Sequence, residues 1–253
     1  MPVSLKDLEA DLNKLLQPQQ FKDYCPNGLQ VEGKSSINKI VSGVTASQAL
    51  VDAAIAADAD AILVHHGYFW RGEDATITGM KKRRLEALLA NELSLLAYHL
   101  PLDAHAEFGN NAQLGKLLDL QITGTASQSG DASLVMIGEP GNALSADELE
   151  EIIRAKLQRA PLVVTAGDRP IKTIAWCTGG AQGFIDSAID AGVDAYITGE
   201  ASEQTTHIAR ERGVHFFAAG HHATERYGVQ AVGEYLVGKF AIEHQFIDID
   251  NPV

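Results

Sequence analysis

Cysteine is almost absent from this chain: there are two in 253 residues, Cys25 and Cys177, far apart and in no CxxC pair. That excludes a disulfide-stapled scaffold and a thiolate zinc ribbon, and it fits a reducing compartment. Positive charge is scarce as well. Twenty Lys and Arg face thirty-three Asp and Glu, a formal net charge of −13. A phosphate backbone would be repelled unless the basic residues were gathered in one patch, so duplex nucleic acid is not an expected partner. Long apolar runs are missing too. Asp52, Asp58 and Asp60 interrupt the longest candidate, between Leu50 and Val64, which leaves no expected membrane span. The opening stretch, MPVSLKDLEADLNKLLQ, lacks the basic start and apolar core of a signal peptide. The expectation is a soluble cytoplasmic protein.

What is present is ordinary globular material, 45% hydrophobic and 21% charged, long enough for one large domain or two small ones. Ser4 opens a helical pattern (Leu5, Leu8, Leu12, Leu15), with Asp7 placed to close a capping box. After a turn at 25–28, strands near 40–44, 61–64 and 93–98 alternate with helices over 47–57 and 80–91. A further helix covers 111–118. Residues 123–130, rich in Ser, Thr and Gly, read as a linker. Beyond it a helix capped by Ser145 and Glu148 lies between strands at 134–137 and 162–165. Strands at 174–177, 195–198 and 215–219 then alternate with helices at 184–191, 204–211 and 223–236, and a last strand lies near Phe246. The pattern predicts an α/β protein of two lobes, each a mainly parallel sheet with helices on both faces. The expected lobes are 1–125 and 126–253, with the C-terminal strand free to return to the first lobe.

The halves match each other. At a shift of 134 positions, 40–61 lies on 174–195 without a gap, and Ile40, Gln48, Asp52, Ala54, Ile55, Ala57, Asp60 and Ala61 meet identical residues. Shared apolar pattern accounts for the Ala and Ile matches but less well for the Gln and two Asp, so internal duplication is expected. At a shift of 122, His99 meets His221, and each has an acid four residues on, Asp103 and Glu225. Both pairs follow strands, where open parallel sheets bind ligands.

His65-His66 also follows a strand, and a bend through Gly67 would let both rings reach one cluster. Imidazole and carboxylate donors together suit zinc, iron, manganese or nickel. His65, His66, Asp103, His221 and Glu225 are too many for one tetrahedral ion, and two divalent ions ~3.5–4 Å apart would use them all. His99 stays open as a ligand, a proton shuttle or a group orienting Asp103. His105, His207, His215, His222 and His244 read as structural or solvated.

HHGYFW (65–70), HLPLDAH (99–105) with GNN (109–111), TGE (198–200) and GHHATER (220–226) resemble the Nif-three-like family, often labelled GTP cyclohydrolase 1 type 2 homologues. PNGLQVEG (26–33) and GVTAS (43–47) are similar to its N-terminal motifs. The resemblance implies a two-metal centre whose ligands fall on His65, His66, Asp103, His221 and Glu225. It also implies a homohexameric ring. The label further implies water opening the imidazole ring of a guanine nucleotide. No P-loop accompanies it; Lys81-Lys82-Arg83-Arg84 is the one dense basic run, and it reads first as a solvated helix start. Phe69 and Trp70 could stack a base, though adjacent aromatics more often pack. The expected function is a metal-dependent hydrolase of a nucleotide-like small molecule, with the metal site between the lobes. The rivals are a non-enzymatic metal-binding ring or adaptor and a single-stranded nucleic-acid binder, the last disfavoured by charge.

Overall fold

A computed structural model describes residues 2–126 and 134–253 of the chain, which divides into two compact units. Unit 1 comprises Met1–Phe108 and Gly228–Asp250; unit 2 comprises Gly109–Tyr227 and Asn251–Val253. The division therefore falls at Phe108/Gly109 rather than at residue 125. Among the described residues, no helix is long and apolar enough to cross a membrane.

Unit 1 runs β1 (Val3–Ser4), α1 (Leu5–Leu16), β2 (Gly28–Val31), β3 (Ser36–Ile37), β4 (Lys39–Thr45), α2 (Gln48–Ala56), β5 (Ala61–His66), α3 (Gly79–Ala90), β6 (Ser94–Ala97) and α4 (Leu100–Ala104). Its sheet also takes a strand from the chain's end. Unit 2 runs α5 (Asn110–Leu117), β7 (Gln121–Thr125), β8 (Met136–Glu139), α6 (Ala146–Leu157), β9 (Leu162–Val164), β10 (Ile174–Trp176), α7 (Ile185–Asp190), β11 (Ala195–Thr198), α8 (Glu203–Arg212), β12 (His215–Ala218) and α9 (His221–Thr224). Then α10 (Arg226–Phe240) and β13 (Glu243–Phe246) lead back into unit 1.

In unit 1 the sheet order is β13-β4-β5-β6-β2, parallel except for β2. Alternate residues of β5 face opposite ways, as strand geometry requires. Ala61 and Leu63 join Leu8 and Leu12 of α1 and Val229, Val232 and Leu236 of α10. Ile62 and Val64 join Leu50 and Val51 of α2 and Leu88 of α3. Each fully buried large apolar side chain contributes ~1.5–3 kcal/mol. The apolar stripe of α10 is thus what returns the chain to unit 1, a whole helix earlier than β13.

Unit 2 shares three parallel central strands with unit 1, but its outer strands β7, β8 and β9 are antiparallel to their neighbours. Its sheet order is β7-β8-β10-β11-β12-β9, with β10, β11 and β12 parallel. Ile174, Trp176 and Ile197 pack with Leu149 and Ile153 of α6, while Ala175, Tyr196 and Phe216 pack with Ala188 of α7 and Ala209 of α8. The expected linker at 123–130 is strand β7 through Thr125; its residues 127–130 lie outside the described part.

The correspondence extends to register. Ile40 pairs with Ala61 and Ile174 with Ala195, as the 134-residue shift requires. Val3 pairs with Ile37, and Leu144 bridges Ile171. The matched aspartates make the same knot. Asp60 Oδ2 accepts the Asn38 and Lys39 N–H groups at 2.8 and 3.1 Å, and Lys34 pairs with Oδ1 at 2.9 Å. Asp194 Oδ2 accepts the Lys172 and Thr173 N–H groups at 2.9 and 3.0 Å, and Arg169 pairs with Oδ1 at 2.8 Å. Burial pushes both carboxyls up, but these donors outweigh it and hold them below the ordinary value. Helix starts differ slightly. Ser145 and Glu148 close a full capping box, whereas Ser4 accepts the Asp7 N–H and donates its hydroxyl to the shorter Asp7 side chain.

Candidate metal centre

The apolar run of β5 ends at His65 and His66, so the strand delivers two imidazoles at its carboxyl end. His65 is fully buried. Its Nδ1–H donates to the Tyr98 carbonyl at 3.0 Å. A carbonyl only accepts, so Nε2 of a neutral ring carries the lone pair, and it lies 3.4 Å from Asp103 Oδ1. Asp103 reaches this point because α4 starts directly after β6: the Leu102 and Asp103 N–H groups both bond the His99 carbonyl, making one tight turn. His66 Nδ1 is 3.2 Å from Thr45 Oγ1 on the neighbouring strand. His65, His66 and His99 offer ring nitrogens within 4.8 Å of one another.

His99 has partners that sequence reasoning did not find. Its Nδ1–H donates to Asp23 at 2.7 Å, and its main-chain N–H donates to Asn27 Oδ1 at 2.7 Å. Burial pushes the Asp23 carboxyl up, but hydrogen bonds from His99 and Asn27, the nearby His99 charge and the Tyr24 N–H bring it down to about 2. Cys25 lies in the same group. Burial, reinforced by the Asp23 charge, pushes its thiol up to about 12, so it is protonated and inert. Beside His99, Trp70 sits edge-on with ring centroids 5.0 Å apart, and Phe69 holds a left-handed backbone at φ 65. In the basic run, Lys81 pairs with Glu73 at 3.3 Å while Lys82 and Arg83 are exposed, in keeping with a solvated helix start.

Unit 2 presents its own donor pair. His221 opens α9 directly after β12, and Nε2 lies 3.2 Å from Glu225 Oε2, four residues on. Its Nδ1–H donates to Glu200 at 2.7 Å; Glu200 closes the TGE motif and was also missed. Burial lowers the His221 pKa, but Glu225 and Glu200 together outweigh it and raise it to about 9. Glu225 is buried against the turn after β10, where Gly179 has φ +69 and a Cβ would stand 2.1 Å from Glu225 Oε1. The glycine leaves room for the carboxylate. Thr198 Oγ1 and the Gly199 N–H both bond the Gly179 carbonyl, at 3.1 and 2.9 Å, locking the turns together.

These residues fit a metal. Two ligands on one tetrahedral ion with ~2.0–2.1 Å bonds stand ~3.3 Å apart, and the two imidazole–carboxylate pairs measure 3.4 and 3.2 Å. Each imidazole is oriented by an acceptor on its other nitrogen, as metal-binding histidines usually are. Among the other histidines, His105 stacks on Phe108, His215 bonds the Arg169 carbonyl, and His244 bonds Ser42.

Comparison with known proteins identifies the family. The family model Duf34/NIF3 (NGG1p interacting factor 3) matches residues 3–252. A Pseudomonas aeruginosa protein described as a GTP cyclohydrolase 1 type 2 homolog is 57% identical over 252 residues, covering 100% of both chains. A solved structure described as "protein ybgI, unknown function" superposes with a TM-score of 0.95 at 52% identity, covering 99% of this chain and 100% of that one. A crystal structure from Thermus thermophilus gives 0.89 at 31% identity, with 99% and 100% covered. The chain belongs to the DUF34/NIF3 family.

Proposed function

We propose that this protein is a metal-dependent hydrolase of a nucleotide-like small molecule, with two divalent ions held by His65, His66, Asp103, His221 and Glu225. The observation that carries the reading is the pair of imidazole–carboxylate edges, 3.4 and 3.2 Å, each with its histidine fixed from behind. Bound ions would supply Lewis acidity and ionise water near neutral pH. The chain's own groups do the rest. Asp103 and Glu225 are buried acceptors that neutralise positive charge, and His99 Nε2, with Nδ1–H committed to Asp23, accepts and returns a proton beside the ligands. The relatives' name, GTP cyclohydrolase 1 type 2 homolog, makes opening of a guanine nucleotide's imidazole ring the first reaction to try. The reading includes self-assembly into a homohexameric ring, checked by sedimentation.

The experiment is turnover of GTP, followed by chromatography, with the metal-loaded protein, the chelated protein, the reloaded protein and the Asp103→Ala variant. Activity that disappears on chelation, returns with metal and is absent in Asp103→Ala supports the proposal. A metal-loaded protein that turns over neither GTP nor a panel of phosphoesters overturns the enzyme reading and leaves a metal-binding assembly in its place.

A further inference from the structure

The imidazole of His99 is packed among rings. Trp70 lies 5.0 Å away edge-on, His65 5.1 Å, His66 5.8 Å and Tyr24 6.5 Å between centroids. Such packing fixes the ring plane but not which nitrogen points where, because a half-turn about the ring axis exchanges the two edges. Something else must choose the edge.

That choice falls to a segment far off in sequence. Asp23 is almost fully buried, its side chain 4% exposed. Every nearby donor converges on it: the Tyr24 N–H at 2.6 Å, Asn27 Nδ2 at 2.9 Å, the Leu100 N–H at 2.9 Å and His99 Nδ1–H at 2.7 Å. Asn27 meanwhile accepts the His99 main-chain N–H at 2.7 Å. One turn, 23–27, thus holds the ring, its own backbone and the next residue's backbone. A carboxylate surrounded only by donors cannot donate in return, so the ring proton must sit on Nδ1. Nε2 is left as an acceptor on the opposite edge of the ring.

We infer that Asp23 is a positioning residue: its carboxylate fixes the ring edge and tautomer of His99, so that Nε2 carries the lone pair on the side of His65 and His66. The inference rests on the hydrolase reading for its purpose but not for its test. An amide at this position would keep one acceptor and place an NH₂ group against backbone donors, which disturbs the set without changing its size. In serine hydrolases the corresponding aspartate-to-asparagine change leaves the geometry in place but puts the histidine in the wrong tautomer, and kcat falls by about 10⁴-fold.

The test uses the full-length protein with ¹⁵N-labelled histidine, observed by NMR as purified and during titration with Co²⁺. In the native protein His99 should show a single tautomer protonated at Nδ1, and Co²⁺ should broaden Nε2 more than Nδ1. In Asp23→Asn both features should be lost while bound metal stays close to the native value and unfolding stays cooperative at a Tm lowered by several degrees; a residue that merely tied two loops together would leave the Co²⁺ contrast unchanged. A native His99 protonated at Nε2 overturns the inference whether or not the variant folds, as does an Asp23→Asn spectrum identical to the native one. In GTP turnover, Asp23→Asn and His99→Gln should each lower kcat by ~10²–10⁴-fold with little change in KM, and the double variant should fall no further. A native enzyme inert towards both GTP and the phosphoester panel removes the hydrolase reading, and the tautomer measurement still decides the role of Asp23.

Discussion

Replacing Gly179 by alanine separates backbone strain from loss of a ligand. At φ +69, a Cβ costs roughly 1–2 kcal/mol through its clash with the following carbonyl. In a chain of this size that lowers Tm by about 2–8 °C. The larger effect is local. The new methyl would stand 2.1 Å from Glu225 Oε1 and 3.1 Å from His221 Nε2, where non-bonded contacts need ~3.5 Å. The carboxylate must retreat by more than an ångström, well beyond the ~0.2 Å tolerance of a metal–ligand bond. Metal affinity, measured by competition with a chromophoric chelator, should fall at least ~10–100-fold. Gly213→Ala is the matched control: Gly213 has φ +72 as the C-cap of α8, and nothing lies within 4 Å of its Cβ position. It should lose stability and keep its metal. Equal metal affinities in the two variants would refute the argument that Gly179 makes room for Glu225.

Glu200→Gln should weaken metal binding by ~10–100-fold without unfolding the protein, since it alters the group that orients His221; isothermal titration checks this. Asp60→Ala and Asp194→Ala should each destabilise the chain by ~2–3 kcal/mol in urea, because each frees two backbone donors and a cation from one carboxylate. The native carboxyls lie below the ordinary value, so their contribution is present above the unfolded pKa near 4 and is lost as pH falls through the lower folded value; both variants should show a flatter acid limb. His244 is pushed below 6.5 by burial, with partial opposition from Glu234. Its contribution should be present above 6.5 and lost as pH falls through the folded value, a dependence that His244→Gln removes from the urea midpoint. Chelation should leave cooperative unfolding intact, because apolar cores on both faces of each sheet hold the units together and the proposed ligands sit at strand ends.

Much of this architecture is legible in the sequence because its signals are local. The run 61–64 ends in His65-His66, and unbroken burial on both faces makes it a central strand. Ser145 and Glu148 mark a helix start that forms as written. The identical Asp60 and Asp194 proved to be structural knots, which explains why they match where mere apolar pattern would not. Other features depend on partners distant in the chain. β7 reads as linker because all of its residues are exposed, so no apolar alternation marks it. The stripe on α10 announces a helix but not which core it enters. Asp23 lies in no motif, and Glu200 lies in TGE without that motif stating its role; each gains a role by reaching a histidine 76 or 21 residues away. The one available signal was that every histidine at a strand end needs an acceptor behind it.

The central claim is that five side chains hold two ions, and elemental analysis of the purified protein tests it most directly. The expected result is about two transition-metal ions per chain, with large losses in both Asp103→Ala and Glu225→Ala while circular dichroism stays native. A native protein that takes up at most one ion when metal is supplied, or full metal retained in both variants, would contradict it.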